Sequence, residues 1–321
     1  MKKLLILISA ISAGFTAAAQ ADVSVSGSAN VAYLSTSGSD AAGDEELAVG
    51  TTVDFSLSTT TSSGLGISGG LSLSTDYDSN NSDTATGGRA VTFTTGGSSI
   101  VVGDVEISDT IGAVGGVVNG PLDDASDLNT SVGSGFIDDD GLGVELTTAV
   151  GSSSLNISYI ANDLADNFGI INSSTTGNDA AMSASIAVPV GAWTVTLGVA
   201  DHDSGESSSG AEISGSIGGG TVTAGYSQQT LLAGGADNTA AGDSDVVGAT
   251  YSMSLDADTT VAVGYQNAKD ADSESATKTE LSIERSLGGG ASIYLDLANL
   301  SGDTAANADG TAIGFGTSVA F

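Results

Sequence analysis

From Val23 to Phe321 the chain alternates apolar or small residues with polar ones at a period of two. One set of alternate positions reads Val23, Val25, Gly27, Ala29, Val31, Tyr33, and the set between them reads Ser24, Ser26, Ser28, Asn30. The run from Leu47 repeats the pattern, with Val49, Thr51, Val53, Phe55 and Leu57 set against Ala48, Gly50, Thr52, Asp54 and Ser56. Successive side chains of a strand point to opposite faces, whereas a helix would bring apolar residues back every three or four positions. The chain is therefore committed to strands with one apolar face. Strands are expected at 23–34, 47–58, 65–75, 89–95, 99–104, 141–150, 155–160 and 180–188. Eight more are expected at 192–200, 211–218, 220–227, 246–253, 259–266, 277–287, 291–299 and 310–321, giving about sixteen.

The connections between these strands sort into two alternating classes. Short, small-residue turns fall at 59–64, 96–97, 151–154, 189–191, 219, 254–258 and 288–290. Long, polar, acidic loops fall at 35–46, 76–88, 105–140, 161–179, 201–210, 228–245, 267–276 and 300–309. Such sorting describes an up-and-down sheet with both chain ends on the short-turn side. The uncharged stretch 181–200 fits the same scheme, because Pro189 and Gly191 interrupt it and its halves alternate, as two strands around a turn.

An apolar face this extensive needs a non-aqueous neighbour, and no helical segment is present to supply a second layer. Closing the sheet on itself pairs every backbone donor and acceptor and leaves no edge, which is the condition for residence in lipid. Strands of about 9–11 residues span such a membrane when tilted. Sixteen or so strands enclose a lumen too wide for side chains to fill. The expected fold is an all-β, transmembrane, antiparallel up-and-down β-barrel over residues 22–321, with its polar face on water.

Residues 1–21 read as a secretory signal peptide. Lys2 and Lys3 form a basic start, Leu4–Ala13 is apolar, and Ala19-Gln20-Ala21 is a small-x-small cleavage site. A retained membrane anchor is the alternative for this segment. No cysteine is present, so the exported fold is expected to stand without disulfides.

Charge narrows the function. Thirty-nine acidic residues face six basic ones, for a formal net charge of −33. Phosphate neutralisation, and with it nucleic-acid binding, is excluded as a partner chemistry. Without cysteine and with His202 as the single histidine, thiolate metal sites and Cys- or His-dependent catalysis are not expected, and the chain is not read as an enzyme. Disorder is also disfavoured, because 40% of residues are hydrophobic and the mean hydropathy is +0.19.

Alternation places Asp54, Glu145, Glu212, Glu280, Glu284 and Asp296 on the inward, lumen-facing side. A charge on the lipid face near mid-bilayer costs up to about 2–4 kcal/mol, which supports that parity. Arg285 falls on the outward parity. Its closeness to a short turn, or a bulge that shifts its register, accounts for it. Tyr33, Trp193, Tyr226, Tyr251, Tyr265 and Phe321 are candidates for aromatic girdles, with ordinary strand packing as the alternative.

Several stretches resemble the general diffusion porins of Gram-negative bacteria, in the branch known from alphaproteobacteria. They are VSVSGSANVAYL (Val23–Leu34), VDFSLSTTTSSGLGISGGLSL (Val53–Leu73), VVGDVEISDTIGAVGGVV (Val101–Val118) and the closing run that ends in Phe321. The resemblance spans the whole mature length, and the C-terminal aromatic after Ile313, Phe315 and Val319 resembles the assembly signal of such barrels. It implies an outer-membrane protein, a sixteen-stranded barrel, assembly as a homotrimer and a third external loop folded into the lumen as a constriction.

The longest loop, about 105–140, occupies that third external position and carries Asp109, Asp123, Asp124, Asp127, Asp138, Asp139 and Asp140. A loop so long is usually functional, and these acids are read as pore-lining, against the alternative of plain solvated loop surface. In the family such acids face Arg and Lys on the barrel wall; here Arg89 and Lys278 are the only inward basic candidates by parity, so the wall is nearly bare. The expected function is a water-filled, cation-preferring channel for passive diffusion of ions and small hydrophilic solutes, with outer-membrane lipid as its surroundings.

No cofactor is expected. Asp138-Asp139-Asp140 and Asp201-His202-Asp203 offer oxygen chemistry for calcium, but neither has the spacing of a calcium-binding helix–loop–helix, and the metal assignment stays open. Two other readings remain. An exported acidic β-solenoid or adhesin should show a short fixed repeat, and none is found. A substrate-specific channel for sugars should line its inward positions with stacked aromatics, and no such ladder is visible.

Overall fold

A computed structural model describes residues 22–38, 45–77, 82–87, 90–107, 114, 116–118, 139–161, 180–203, 205, 207–231, 242–269, 275–302 and 309–321. The segment 1–21, expected to be a signal peptide, lies outside these residues. The strands are β1 (Asp22–Gly38), β2 (Glu45–Thr60), β3 (Gly66–Tyr77), β4 (Ser82–Gly87), β5 (Ala90–Thr95) and β6 (Ser98–Ile107). They continue with β7 (Asp139–Val150), β8 (Ser153–Ile160), β9 (Ala181–Val190), β10 (Trp193–His202), β11 (Ser207–Ile217) and β12 (Gly220–Leu231). The last are β13 (Gly242–Ser254), β14 (Thr259–Lys269), β15 (Ser275–Gly288), β16 (Ala291–Gly302) and β17 (Gly310–Ala320).

Every neighbouring pair is antiparallel, and β1 pairs with both β2 and β17, so the sheet closes. β4 and β5 both pair with β3, at Ser72–Tyr77 and Gly66–Gly69 respectively, and so share one place in the wall. The barrel therefore has sixteen strand positions. Its seam is fastened by Phe321, whose N–H donates to the Gly27 carbonyl at 2.9 Å while the Gly27 N–H donates to the Phe321 carbonyl at 2.9 Å.

Turn chemistry explains the short-turn rim. Gly96 and Gly97 (φ +57° and +84°) join Thr95 to Ser98, and Gly218 and Gly219 (φ +58° and +87°) join Ile217 to Gly220. Two successive positive φ angles give the hairpin turn whose twist matches the flanking strands, and glycine adopts them without a Cβ penalty.

The apolar parity faces outward. Val23, Val25, Leu57, Val199 and Phe315 are each more than half exposed. In water each would forfeit roughly 1.5–3 kcal/mol of burial; against hydrocarbon nothing is lost. Three rings lie over glycines beside the short turns: Trp193 over Gly215, Tyr251 over Gly220 and Phe321 over Gly27. Tyr33, Tyr159, Tyr226 and Tyr265 are exposed toward the other end of their strands, so aromatics flank the apolar band on both sides, as interfaces favour.

Three features depart from the sequence expectation. Strands run further toward the long loops: β11 begins at Ser207 and β13 at Gly242, because the backbone ladder continues through Ser and Asp residues after apolar alternation has ended. Asp139 and Asp140 consequently belong to β7, opposite Ile107 and Glu106, and not to the loop. Pro189 lies inside β9, and the turn is Gly191-Ala192 between Val190 and Trp193. The pairing of β9 with β8 ends at Ala187, so the missing N–H of Pro189 breaks no ladder bond.

The inward parity is also less uniformly polar than alternation suggested. Toward the long-loop end it buries two apolar clusters, Ile107 with Ile160, Ala181 and Ala200, and Val246 with Ala268, Ala276 and Leu300. A third joins Leu34, Ala298 and Ala312.

Candidate functional site: the lumen wall

Pairing register carries the inward parity around the barrel and puts all six expected acids on it. Asp54 sits opposite Ser26 and Ser72, Glu145 opposite Val101 and Ser158, and Glu212 opposite Thr196 and Gly225. On β15 and β16, Glu284 pairs with Tyr294, Ser282 with Asp296, and Glu280 with Ala298. Neighbouring inward positions are mostly Ser and Thr. Around Glu145 they form a chain: Thr147 Oγ1 donates to Glu145 Oε1 at 3.3 Å, Asn156 Nδ2 to Thr147 Oγ1 at 3.1 Å, and Ser158 Oγ to Asn156 Oδ1 at 3.2 Å.

The acids differ in access. Asp54, Glu145 and Glu212 are half-buried and Glu284 is exposed, whereas Glu280 and Asp296 are buried, Asp296 completely. All six thus keep the expected inward parity, but Glu280 and Asp296 are covered there. For Glu280 the cause is visible. The connection from β6 to β7 touches this part of the wall through Val114, Val117 and Val118. Val117 N–H donates to Glu280 Oε2 at 2.6 Å. Val118 packs on the Leu34, Ala298 and Ala312 cluster. The Val114 carbonyl sits where a Cβ of residue 248 would be, a space open only because that residue is Gly248. β6 and β15 are well separated around the ring, so these contacts are made by a segment that has left its own strand for a distant part of the wall.

Lys278 shares the inward parity but serves Glu280. Its Nζ lies 2.9 Å from Glu280 Oε1, and the two side chains are 7% and 2% exposed. Lys278 therefore stands on the wall beside the carboxylate that the β6–β7 connection reaches. Asp109, Asp123, Asp124, Asp127, Asp138 and Arg89 lie outside the described residues, and of Asp139 and Asp140 only the backbone register is described.

Arg285 stays outward, opposite Ile293; the register shift falls later, between Ser286 and Gly288, so proximity to the short-turn rim is the explanation that holds. Its Nη1 donates to Thr259 Oγ1 at 2.7 Å and reaches Asp256 Oδ2 at 3.4 Å. On this rim the Asp256 carboxyl is held below its usual range, first by the Asp258 N–H, then by the Thr259 hydroxyl, with Arg285 contributing less. Asp201 and His202 occupy successive positions of β10 and so opposite faces of the wall.

Residues missed from sequence are Val114, Val117, Val118, Gly248 and the inward Tyr294. The available signal was a lapse in alternation: Val117-Val118 within a polar loop, and apolar pairs such as Tyr33-Leu34 and Val246-Val247 near strand ends.

Comparison with known proteins agrees with this wall. The anion-selective porin from Comamonas acidovorans superposes with a TM-score of 0.65 at 15% identity, covering 94% of this chain and 100% of that one. OmpF of Salmonella typhi, in complex with daunomycin, gives 0.68 at 12%, covering 93% and 97%. OmpT of Vibrio cholerae, in its trimer form, gives 0.67 at 13%, covering 94% and 99%. At these identities the likeness shows the fold. No curated protein sequence matches the chain. A family model described as Gram-negative porin matches residues 6–305. The chain belongs to the Gram-negative porin family and is a channel protein of the outer membrane.

Proposed function

We propose that this porin is a general diffusion channel that passes ions and small hydrophilic solutes and prefers cations. The observation that carries the preference is the charge of the described inner wall. Asp54, Glu145, Glu212 and Glu284 are open to it, while the single inward lysine among the described residues, Lys278, is paired with Glu280. Carboxylates lining a pore favour cations, and the fold itself does not fix the sign, since a neighbour of the same fold is described as anion-selective. The β6–β7 connection is the narrowing element of this reading, and its acids add to the wall charge. Among described inward positions Tyr294 is the only aromatic, which supports a general over a sugar-specific channel. Assembly as a homotrimer belongs to the same reading and is supported by the trimer form of the Vibrio cholerae neighbour.

Swelling of proteoliposomes in ethanolamine, glycerol and glycolate tests this directly, because the three are similar in size and differ in charge. All three should enter, with ethanolamine fastest. Faster entry of glycolate than of ethanolamine contradicts the preference, and exclusion of all three contradicts a diffusion channel.

A further inference from the structure

The four open wall acids are not scattered. Going around the wall, with β4 and β5 in one place, Asp54 on β2, Glu145 on β7, Glu212 on β11 and Glu284 on β15 recur at every fourth strand position. The interval from β15 through β16, β17 and β1 back to β2 is the same, so the spacing closes on itself. All four strands run toward the short-turn rim. Asp54 precedes the end of its strand at Thr60, Glu145 that at Val150, Glu212 that at Ile217 and Glu284 that at Gly288, by four to six residues in every case. At about 3.4 Å per residue and a tilt of roughly 40°, a two-residue spread is about 5 Å of height, and the set stands about 10–15 Å above the rim.

We infer that Asp54, Glu145, Glu212 and Glu284 form a carboxylate ring that sets cation selectivity in the short-turn half of the lumen, separately from the β6–β7 connection. The inference rests on the cation-preferring reading and assigns part of that preference to four named residues. Its physics is that of a fixed-charge collar. Sixteen strands about 4.8 Å apart, tilted roughly 40°, put the wall about 16 Å from the axis, and the side chains bring the carboxylates several ångströms inward. At 0.15 M salt the screening length is about 8 Å, and at 0.01 M about 30 Å. The four fields therefore merge across the lumen in dilute salt and separate into collars hugging the wall at high salt. Glu280 and Asp296 do not join the ring, because both are buried. Arg285, one residue beyond Glu284, points to the other face, so among the described residues it adds no positive charge to the collar.

The test is the reversal potential of the wild type and of the D54N/E145Q/E212Q/E284Q variant, each in a dilute KCl gradient. A control variant removes exposed acids off the inward face, E45Q/D201N/D258N. The ring account expects the cation-to-anion permeability ratio of the fourfold variant to fall by about two- to threefold in dilute salt and to converge on wild type near 1 M, with the control unchanged. Opposed pairs, D54N/E212Q and E145Q/E284Q, should each give an intermediate ratio, and they carry the test should the fourfold variant fail to fold. A wild type without cation preference overturns the proposed function and the ring with it. A cation-preferring wild type whose folded fourfold or paired variants keep the same ratio overturns the ring alone.

Discussion

Val117 and Glu280 are 163 residues apart in sequence, yet the Val117 amide donates to the Glu280 carboxylate at 2.6 Å. The same carboxylate holds Lys278 at 2.9 Å, so one buried acid ties both the connecting segment and the nearest cation to the wall.

Replacing Glu280 with Ala removes the acceptor of the Val117 amide and leaves the Lys278 ammonium without its carboxylate. A hydrogen bond to a charged group contributes about 1.5–3 kcal/mol, enough to release a short segment from its seat. Single-channel records of the variant should show a changed and noisier open level, while Glu280→Gln, which keeps an acceptor, should stay closer to wild type. Identical records for the wild type and the Ala variant would remove Glu280 from this role.

Gly248 tests the same seat by shape instead of charge. A Cβ there overlaps the Val114 carbonyl, a backbone atom that cannot swing aside, whereas a Cβ at Gly116 meets nothing within 4 Å. Gly248→Ala should therefore alter conductance in the manner of Glu280→Ala, and Gly116→Ala should not. Equal behaviour of the two glycine variants would place the segment elsewhere.

Phe321 closes the seam through two backbone hydrogen bonds with Gly27, and its ring lies where a Gly27 Cβ would come within 2.8 Å. Deleting Phe321 should lower the yield of folded, heat-modifiable barrel in the outer membrane, and Gly27→Leu should do so by displacing the ring. Normal yield after the deletion would show that closure does not depend on this residue.

The rim supplies a pH effect of known sign. The Asp256 carboxyl is depressed in the folded protein, so its contribution is fully present above its unfolded value near 4 and is lost as pH falls through the lower folded value. Because Asp256 is exposed, the effect should be small. The thermal midpoint of the wild type should fall slightly more than that of Asp256→Asn between pH 5 and the acid limb. Parallel pH profiles would assign no stabilising role to the Asp258, Thr259 and Arg285 contacts.

What the sequence disclosed and what it concealed divide along a physical line. Period-two alternation is a property of the local backbone, so the parity of Asp54, Glu145, Glu212, Glu280, Glu284 and Asp296 was legible from neighbours alone. Loop sorting likewise gave the up-and-down order. That Glu280 is closed off was not legible, because it depends on Val117 reaching it across the barrel, and nothing local to either residue records that contact. Pro189 misled for a related reason: its cost depends on whether β8 extends beside it, and that is a question of partner length. Ser207 and Gly242 lay beyond the last apolar alternation, where the ladder persists through backbone bonds that side-chain pattern cannot report.

The central claim, an outer-membrane channel whose wall charge makes it prefer cations, is tested most directly by the zero-current potential of the purified wild-type protein in planar bilayers under a dilute KCl gradient. The account predicts a potential on the potassium side of zero that shrinks as both solutions approach 1 M, where screening falls to about 3 Å. A potential on the chloride side would contradict it.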